Sequence, residues 1–181
     1  TEIGRLLQSV NLSKTNVIII GDNGTPGQVV QAPFSNGHAK DSLFTGGVNV
    51  PLVISGPDVT VPGGSTTDKL VHCVDLFSTI LQLGGINTAA AASGVTIDSK
   101  TLVPLLRGAD SLDRTMVAET FGNGPGEGRT IVSDDYPDYK LIILGDRLST
   151  TDTPSFQLFN ITTDFNEQSP LSIAGLTGTA L

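Results

Sequence analysis

Tryptophan is missing from this chain of 181 residues, and cysteine and methionine occur once each. Seven phenylalanines and two tyrosines supply the remaining large aromatic rings. The single thiol, Cys73, excludes an internal disulfide framework and any metal cluster built on several cysteines. Charge is also sparse, at 15% of residues, against roughly 25% in an average soluble domain. Basic residues are the scarcer kind: 10 Lys and Arg face 18 Asp and Glu, for a formal charge of −8. A phosphate backbone or an anionic bilayer would be repelled, which argues against non-specific nucleic-acid or anionic-membrane binding. No apolar run approaches the ~20 residues of a membrane-spanning helix, so no transmembrane segment is expected. Thr1-Glu2-Ile3-Gly4-Arg5 leads into an amphipathic stretch instead of a basic and then apolar leader, so no secretory signal is expected either. A Gly-x-Ser-x-Gly elbow, a Walker loop and a His-Glu-x-x-His motif are all missing, which removes the usual support for standalone hydrolase and NTPase readings.

What is present points to a loop-rich α/β protein. Only four of the 18 acidic residues are glutamate, and aspartate favours caps, turns and metal sites. Glycine and proline number 21 and 10, too many for a helical bundle. Ile3, Leu6, Leu7 and Val10 recur at helical spacing, predicting a helix with one buried apolar face. Asn16-Val17-Ile18-Ile19-Ile20 is short, β-branched and continuously apolar, the pattern of a strand covered on both faces in a parallel sheet. Asn49-Val50-Pro51-Leu52-Val53-Ile54-Ser55 predicts a second strand, closed by Gly56-Pro57. The clearest helix falls within residues 70–83, with Asp75 as its expected N-cap and Gly84-Gly85 as its stop. Ala89-Ala90-Ala91-Ala92-Ser93-Gly94 reads as a loop. Beyond residue 110 the composition shifts to short β-rich runs at 115–120, 130–133, 139–144 and 156–161, which predict a small, mostly antiparallel sheet. Residues 171–181, rich in Gly and Thr, are expected to fray. The expected organisation is the edge of a larger, mostly parallel sheet over residues 1–109, then a small α+β unit over residues 110–181.

Few side chains stand out for chemistry. Asp22 and Asn23 are adjacent oxygen donors at the carboxyl end of the first strand, where open α/β sheets bind ligands. They suit a hard divalent cation, and they suit equally an ordinary Asp-Asn-Gly turn that needs no ion. Lys40, in the polar loop Ser35-Asn36-Gly37-His38-Ala39-Lys40-Asp41, can meet an anionic oxygen or simply be solvated. His38 can offer a hydrogen bond or a proton near neutral pH. His72 reads as a packing or hydrogen-bonding residue, Cys73 as buried and inert, and Asp134, Asp135 and Asp138 as a solvated turn.

Several stretches, in order along nearly the whole chain, resemble the sulfatase family of the alkaline-phosphatase superfamily. Asn-Val-Ile-Ile-Ile-Gly-Asp-Asn-Gly at 16–24 is similar to its strand and Asp-Asn-Gly turn. The segment from His38 through Lys40, Phe44-Thr45-Gly46-Gly47 and Val50-Pro51 is similar to its lysine-bearing block, which usually reads Lys, a few residues, Tyr-Glu-Gly-Gly, then Ile/Val-Arg-Val-Pro. Asp75-Leu76-Phe77-Ser78-Thr79 resembles its Asp-Leu-x-Pro-Thr helix, and Asp98-Ser99 through Leu102-Val103-Pro104-Leu105-Leu106 its Asp-Gly-x-Ser-Leu-x-Pro-Leu-Leu stretch. Tyr139-Lys140-Leu141-Ile142 and residues 156–161, with Asp164 and Glu167, resemble its closing strands and Asp-Pro-x-Glu tail. The chain departs from the pattern at Thr45, where Glu is usual, at Asn49, where Arg is usual, and at Ser78, where Pro is common.

The resemblance implies an alkaline-phosphatase-like sheet and sulfuric-ester hydrolysis. It implies that Asp22 and Asn23 are two ligands of a calcium or similar divalent ion, that Lys40 is a catalytic and substrate-binding residue on the sulfate, and that His38 is a catalytic neighbour. The family's nucleophile is a formylglycine made from a Cys/Ser-x-Pro-x-Arg motif near the N-terminal end, and this chain has no such motif; Cys73 is followed by Val74-Asp75-Leu76. The expectation is therefore a C-terminal portion of a sulfatase, inactive alone, whose partner is the N-terminal part of the same protein. A secreted or periplasmic location is implied by family analogy. Two rivals stay open: a phosphate-ester or phosphonate hydrolase of the same superfamily, and a non-catalytic binding module on this scaffold.

Overall fold

The computed structural model describes residues 1–109, 112–120, 127–145 and 154–173. In chain order these form α1 (Glu2–Leu7), β1 (Val17–Ile20), a 3₁₀ turn (Asn36–His38), α2 (Thr45–Val48), β2 (Leu52–Ser55), α3 (Asp75–Leu83), α4 (Thr88–Ala91), α5 (Val103–Leu106), β3 (Thr115–Thr120), β4 (Gly128–Ser133), β5 (Tyr139–Leu144) and β6 (Ser155–Asn160). The expected mixture of helices and antiparallel strands is present. No helix among the described residues is long and apolar enough to cross a membrane. The contacts divide the chain into two compact units, one of residues 1–20 and 51–113, the other of residues 21–50 and 114–181. Segment 21–50, which the composition had grouped with the first region, thus belongs with the C-terminal strands.

In the first unit, β1 and β2 pair antiparallel, with Ile20 opposite Leu52 and Val17 opposite Ser55. The larger parallel sheet expected around the apolar run is not seen here: among the described residues these two strands have only each other. Because the pairing is antiparallel, the chain leaves β1 and re-enters β2 at the same end of the ribbon. Ile19 and Val53 stay substantially exposed, so the run of isoleucines is not covered on both faces. The α1 helix is capped by Thr1, whose Oγ1 accepts the Gly4 N–H at 3.3 Å, but it buries no residue. The expected buried face is therefore not formed, and Ile3 and Leu6 lie exposed.

Helix α3 reverses the usual amphipathic arrangement. Its inward residues are Asp75, Ser78 and Thr79, at i, i+3 and i+4, whereas Phe77 and Ile80 point outward. Asp75 is the first helical residue and not the expected cap. Its carboxylate accepts the N–H groups of His72 (2.8 Å) and Lys100 (2.9 Å). Thr79 accepts the Leu102 N–H at 2.9 Å, and Ser78 donates its N–H to Ser99 Oγ and its hydroxyl to Ser99 O. These bonds satisfy buried polar groups that would otherwise cost ~1–3 kcal/mol each. Gly84 ends the helix as expected, and Gly85 follows at φ +77°. Of residues 89–94, expected as loop, Ala89 to Ala91 join Thr88 in one helical turn because Asn87 caps it, accepting from Ala89 N and Ala90 N. Cys73 is exposed, correcting the expectation of a buried thiol; the apolar Val74 beside it also faces out.

The second unit is built on an antiparallel meander of order β3-β4-β5-β6, the sheet that the β-rich runs predicted. Alternation sends Thr130, Lys140, Ile142 and Phe159 to one buried face. Leu43, Ile142 and Phe159 form the core there, joined by Phe44, Leu144 and Ile161. The polar segment 21–50 thus contributes two of its few large apolar side chains, Leu43 and Phe44, to the sheet. Of the segment expected to fray, Leu171 bridges to Leu158, and residues 174–181 lie outside the described residues.

Candidate active site

Glycine and backbone hydrogen bonds bring the scattered candidate residues of segment 21–50 together. Asp22 is exposed and Asn23 half-buried, and Asn23 Nδ2 donates to Asp22 Oδ1 at 2.9 Å. The next residue, Gly24, is buried against α2: a Cβ there would stand 2.2 Å from the Gly46 carbonyl oxygen and 2.6 Å from Gly47 Cα. The Thr25 N–H donates to Gly46 O at 3.3 Å, and the Lys40 N–H donates to Thr25 O at 2.9 Å. One residue, Thr25, therefore ties the Asp-Asn turn to both the lysine loop and the glycine pair. Gly24→Ala is expected to cost about 1–3 kcal/mol, because the clash is with backbone that cannot rotate away. A shift of the urea midpoint at unchanged m-value would measure it.

Lys40 is exposed, and its ammonium has no hydrogen-bond or ion-pair partner among the described residues. The following residue, Asp41, turns the chain sharply at φ +68°, a left-handed conformation uncommon outside glycine. His38 is half-buried and lies flat on Phe44, with ring centroids 3.6 Å apart and planes 7° from parallel. Its Nδ1 is 3.3 Å from the Asn166 carbonyl oxygen and 3.5 Å from Gln168 Nε2. Gln168 Nε2 already donates to that same carbonyl at 2.7 Å. The shorter contact and the amide's better partner assign the proton to Nδ1, donating to Asn166 O, which leaves Nε2 as the nitrogen available to a ligand.

Beneath this loop lies an ion pair that local sequence pattern did not single out. Lys140 Nζ is 2.5 Å from Glu167 Oε1, with the side chains 3% and 0% exposed. Glu167 Oε2 accepts the Thr45 N–H at 2.5 Å, and the Lys140 ammonium reaches Thr45 Oγ1 at 3.4 Å. Burial pushes the Lys140 ammonium below the usual lysine range, and the Glu167 carboxylate opposes that shift by charge and by hydrogen bond. Glu167 holds its position at φ +56°. Thr45, where the family pattern has Glu, thus places its hydroxyl by Lys140 and its N–H on Glu167.

The remaining candidates have structural partners. His72 Nδ1 accepts from Val74 N at 3.3 Å and lies 3.5 Å from Cys73 Sγ, within the turn that opens α3. Asp134 accepts the Arg114 N–H at 2.9 Å, and Asp138 accepts the Thr162 hydroxyl at 2.6 Å. Among the described residues, no three His, Cys, Asp or Glu side chains are gathered as for a metal.

Residues 1–86, which include Asp22, Asn23, His38 and Lys40, match the family model described as Sulfatase. Residues 1–86 carry a sulfatase-family domain. It is 31% identical over 132 residues to N-acetylgalactosamine-6-sulfatase of Canis lupus familiaris, covering 65% of this chain and 24% of that protein. It is 27% identical over 169 residues to a sulfatase of Formosa agariphila, covering 87% of this chain and 28% of the relative. Against arylsulfatase K of Xenopus laevis, identity is 23% over 178 residues, or 91% of this chain and 30% of the relative. The chain therefore spans between about a quarter and a third of the length of these curated relatives.

Proposed function

We propose that this chain supplies part of the active site of a sulfuric-ester hydrolase, with the nucleophile and the remaining metal ligands coming from the rest of a sulfatase-length polypeptide. The observation that carries the reading is the double backbone tie at Thr25, which seats the Asp22-Asn23 turn beside the Lys40 loop in a sulfatase-family chain. The donor set fits a partial site for a hard cation. Asn23 spends its amide N–H on Asp22 Oδ1, which leaves Asn23 Oδ1 and Asp22 Oδ2 as free oxygens, two of the six to eight that calcium takes. A bound divalent ion would supply positive charge to the oxygens of the ester.

The chain's own residues have distinct tasks in this reading. Lys40 places a compact ammonium, unspent on any partner among the described residues, against the sulfate oxygens and stabilises the charge that grows as the ester bond breaks. His38, fixed through Nδ1 and stacked on Phe44, presents Nε2 to the substrate as a hydrogen-bonding or proton-transferring group. The formylglycine nucleophile, in this proposal, lies elsewhere in the polypeptide, so the chain by itself does not turn over.

Calorimetric titration with calcium tests the metal assignment. In the sulfatase-length polypeptide, Asp22→Ala is expected to weaken calcium binding by about 10–100-fold, the scale on which metal sites respond to loss of a supporting group. Indistinguishable binding by the variant would remove Asp22 from the metal site. Parallel assays with an aryl sulfate and an aryl phosphate identify the ester: faster phosphate cleavage would overturn the sulfatase assignment in favour of phosphoryl transfer.

A further inference from the structure

We infer that Glu167 and Lys140 are positioning residues for the candidate active site, holding through Thr45 the α2 turn on which the Asp22-Asn23 turn and the Lys40 loop are seated. This deepens the proposed function and rests on it for its catalytic meaning. The holding itself stands on contacts within one compact unit.

The path is short and continuous. Glu167 grips Thr45 through its N–H, and Lys140 through its hydroxyl. Thr45 is followed directly by Gly46, whose carbonyl accepts the Thr25 N–H, while Thr25 in turn accepts the Lys40 N–H. Gly46 also presses on the other end of the same segment, since a Cβ there would stand 2.2 Å from the His38 carbonyl oxygen. The residues flanking Glu167 complete the grip: Asn166 O meets His38 Nδ1, and Gln168 Nε2 holds that carbonyl. Asp164 fixes this short stretch by accepting the N–H groups of Gln168 and Ser169. Three consecutive residues after β6 thus reach both His38 and Thr45, the ends of the segment that carries Lys40.

A buried charge pair is an expensive way to fill a core, because hydrophobic residues of similar volume often serve stability as well or better. An apolar pair would not supply the acceptor that Thr45 N–H uses. The four-residue α2 has no side-chain cap of its own from Phe44, so the carboxylate of Glu167 serves its first N–H from outside.

Two variants of the full chain separate positioning from bulk stability. Glu167→Ala removes the acceptor; Lys140→Met combined with Glu167→Gln removes the charges but keeps a side-chain oxygen for Thr45 N–H. Amide exchange in Glu167→Ala is expected to accelerate by about tenfold or more at Thr25, Lys40 and Thr45 relative to Ile131 and Ile142 in the sheet. The neutral pair is expected to restore protection at those three amides. Equal acceleration in loop and sheet would make the pair merely structural and overturn the inference, as would unchanged exchange at Thr25 and Lys40. Failure of the neutral pair to restore the loop would overturn the route through Thr45.

Kinetics on 4-nitrophenyl sulfate in the sulfatase-length polypeptide add the catalytic arm. Glu167→Ala is expected to lower kcat more than it changes KM, with the neutral pair recovering most of kcat. If Lys40→Ala abolishes turnover while Glu167→Ala moves neither kcat nor loop exchange, the positioning inference falls and the functional reading survives. If loop exchange responds to Glu167→Ala but Lys40→Ala leaves turnover intact, the functional reading falls and the hold on the loop stands.

Discussion

Lys140→Met is expected to lower the stability of the chain by about 3–5 kcal/mol, the range for breaking a buried ion pair by removing one partner. The side chain is 3% exposed and its partner Glu167 0%, so neither charge can turn to water when the other is lost. Glu167→Gln is expected to cost a similar amount, since it leaves an ammonium without its counter-charge, whose other described contact is a hydroxyl at 3.4 Å. Replacing both, as in Lys140→Met with Glu167→Gln, is expected to cost clearly less than the sum of the single changes. The attraction between the partners vanishes in either single variant, but only the double variant also removes the stranded charge. Urea unfolding of the four species closes the cycle, and additive losses would mean that the two groups do not act as a pair. At a surface pair such as Arg5–Glu2, with side chains 73% and 85% exposed, the same experiment is expected to return under ~1 kcal/mol.

Lys40→Ala is expected to lower kcat on an aryl sulfate by about 10²–10³-fold in the sulfatase-length polypeptide, the scale of removing one preorganised charge from a developing oxyanion. Stability should scarcely change, because Lys40 is exposed and its side chain bonds to nothing described; only its backbone N–H is used, and alanine keeps that. Lys40→Arg would return charge without the compact ammonium geometry, so incomplete rescue is expected. Full activity in Lys40→Ala would remove this residue from the chemistry.

Much of this was legible in the residues because the signals are local. The Asp22-Asn23-Gly24 turn, the Lys40 loop and the alternating runs of β3 to β6 each declare themselves within a few positions. The direction of strand pairing did not. A run such as Val17-Ile18-Ile19-Ile20 is what a strand covered on both faces would have, yet here it meets β2 antiparallel and leaves Ile19 partly exposed. Periodicity locates an apolar face without supplying what covers it, which is why the buried face expected of α1 is not formed and Ile3 and Leu6 are outward, as Phe77 and Ile80 are on α3. The exposure of Cys73 was hidden in the same way, since its apolar neighbour Val74 also faces out. Lys140 resisted for a different reason. A lysine between Tyr139 and Leu141 reads as one more solvent-facing strand residue, and only the distant Glu167 makes its burial tolerable. The family resemblance pointed to both stretches without indicating that their charges meet.

The contacts that set the Lys40 loop also give it a place in time. Thr45 and Glu167 are 122 residues apart in sequence, and His38 and Asn166 are 128 apart. A growing chain emerging N-terminus first completes the loop long before the residues that clamp it exist, so its final geometry waits for the end of β6 and the six or seven residues beyond. Closing so long a span costs entropy before any contact returns it, which favours the meander, with its neighbouring hairpins, as the earlier structure and the loop as the later one. Maturation of this half of the site is therefore governed by the last stretch of the described chain, and a ribosome stalled before residue 164 would hold an ordered lysine loop only in outline.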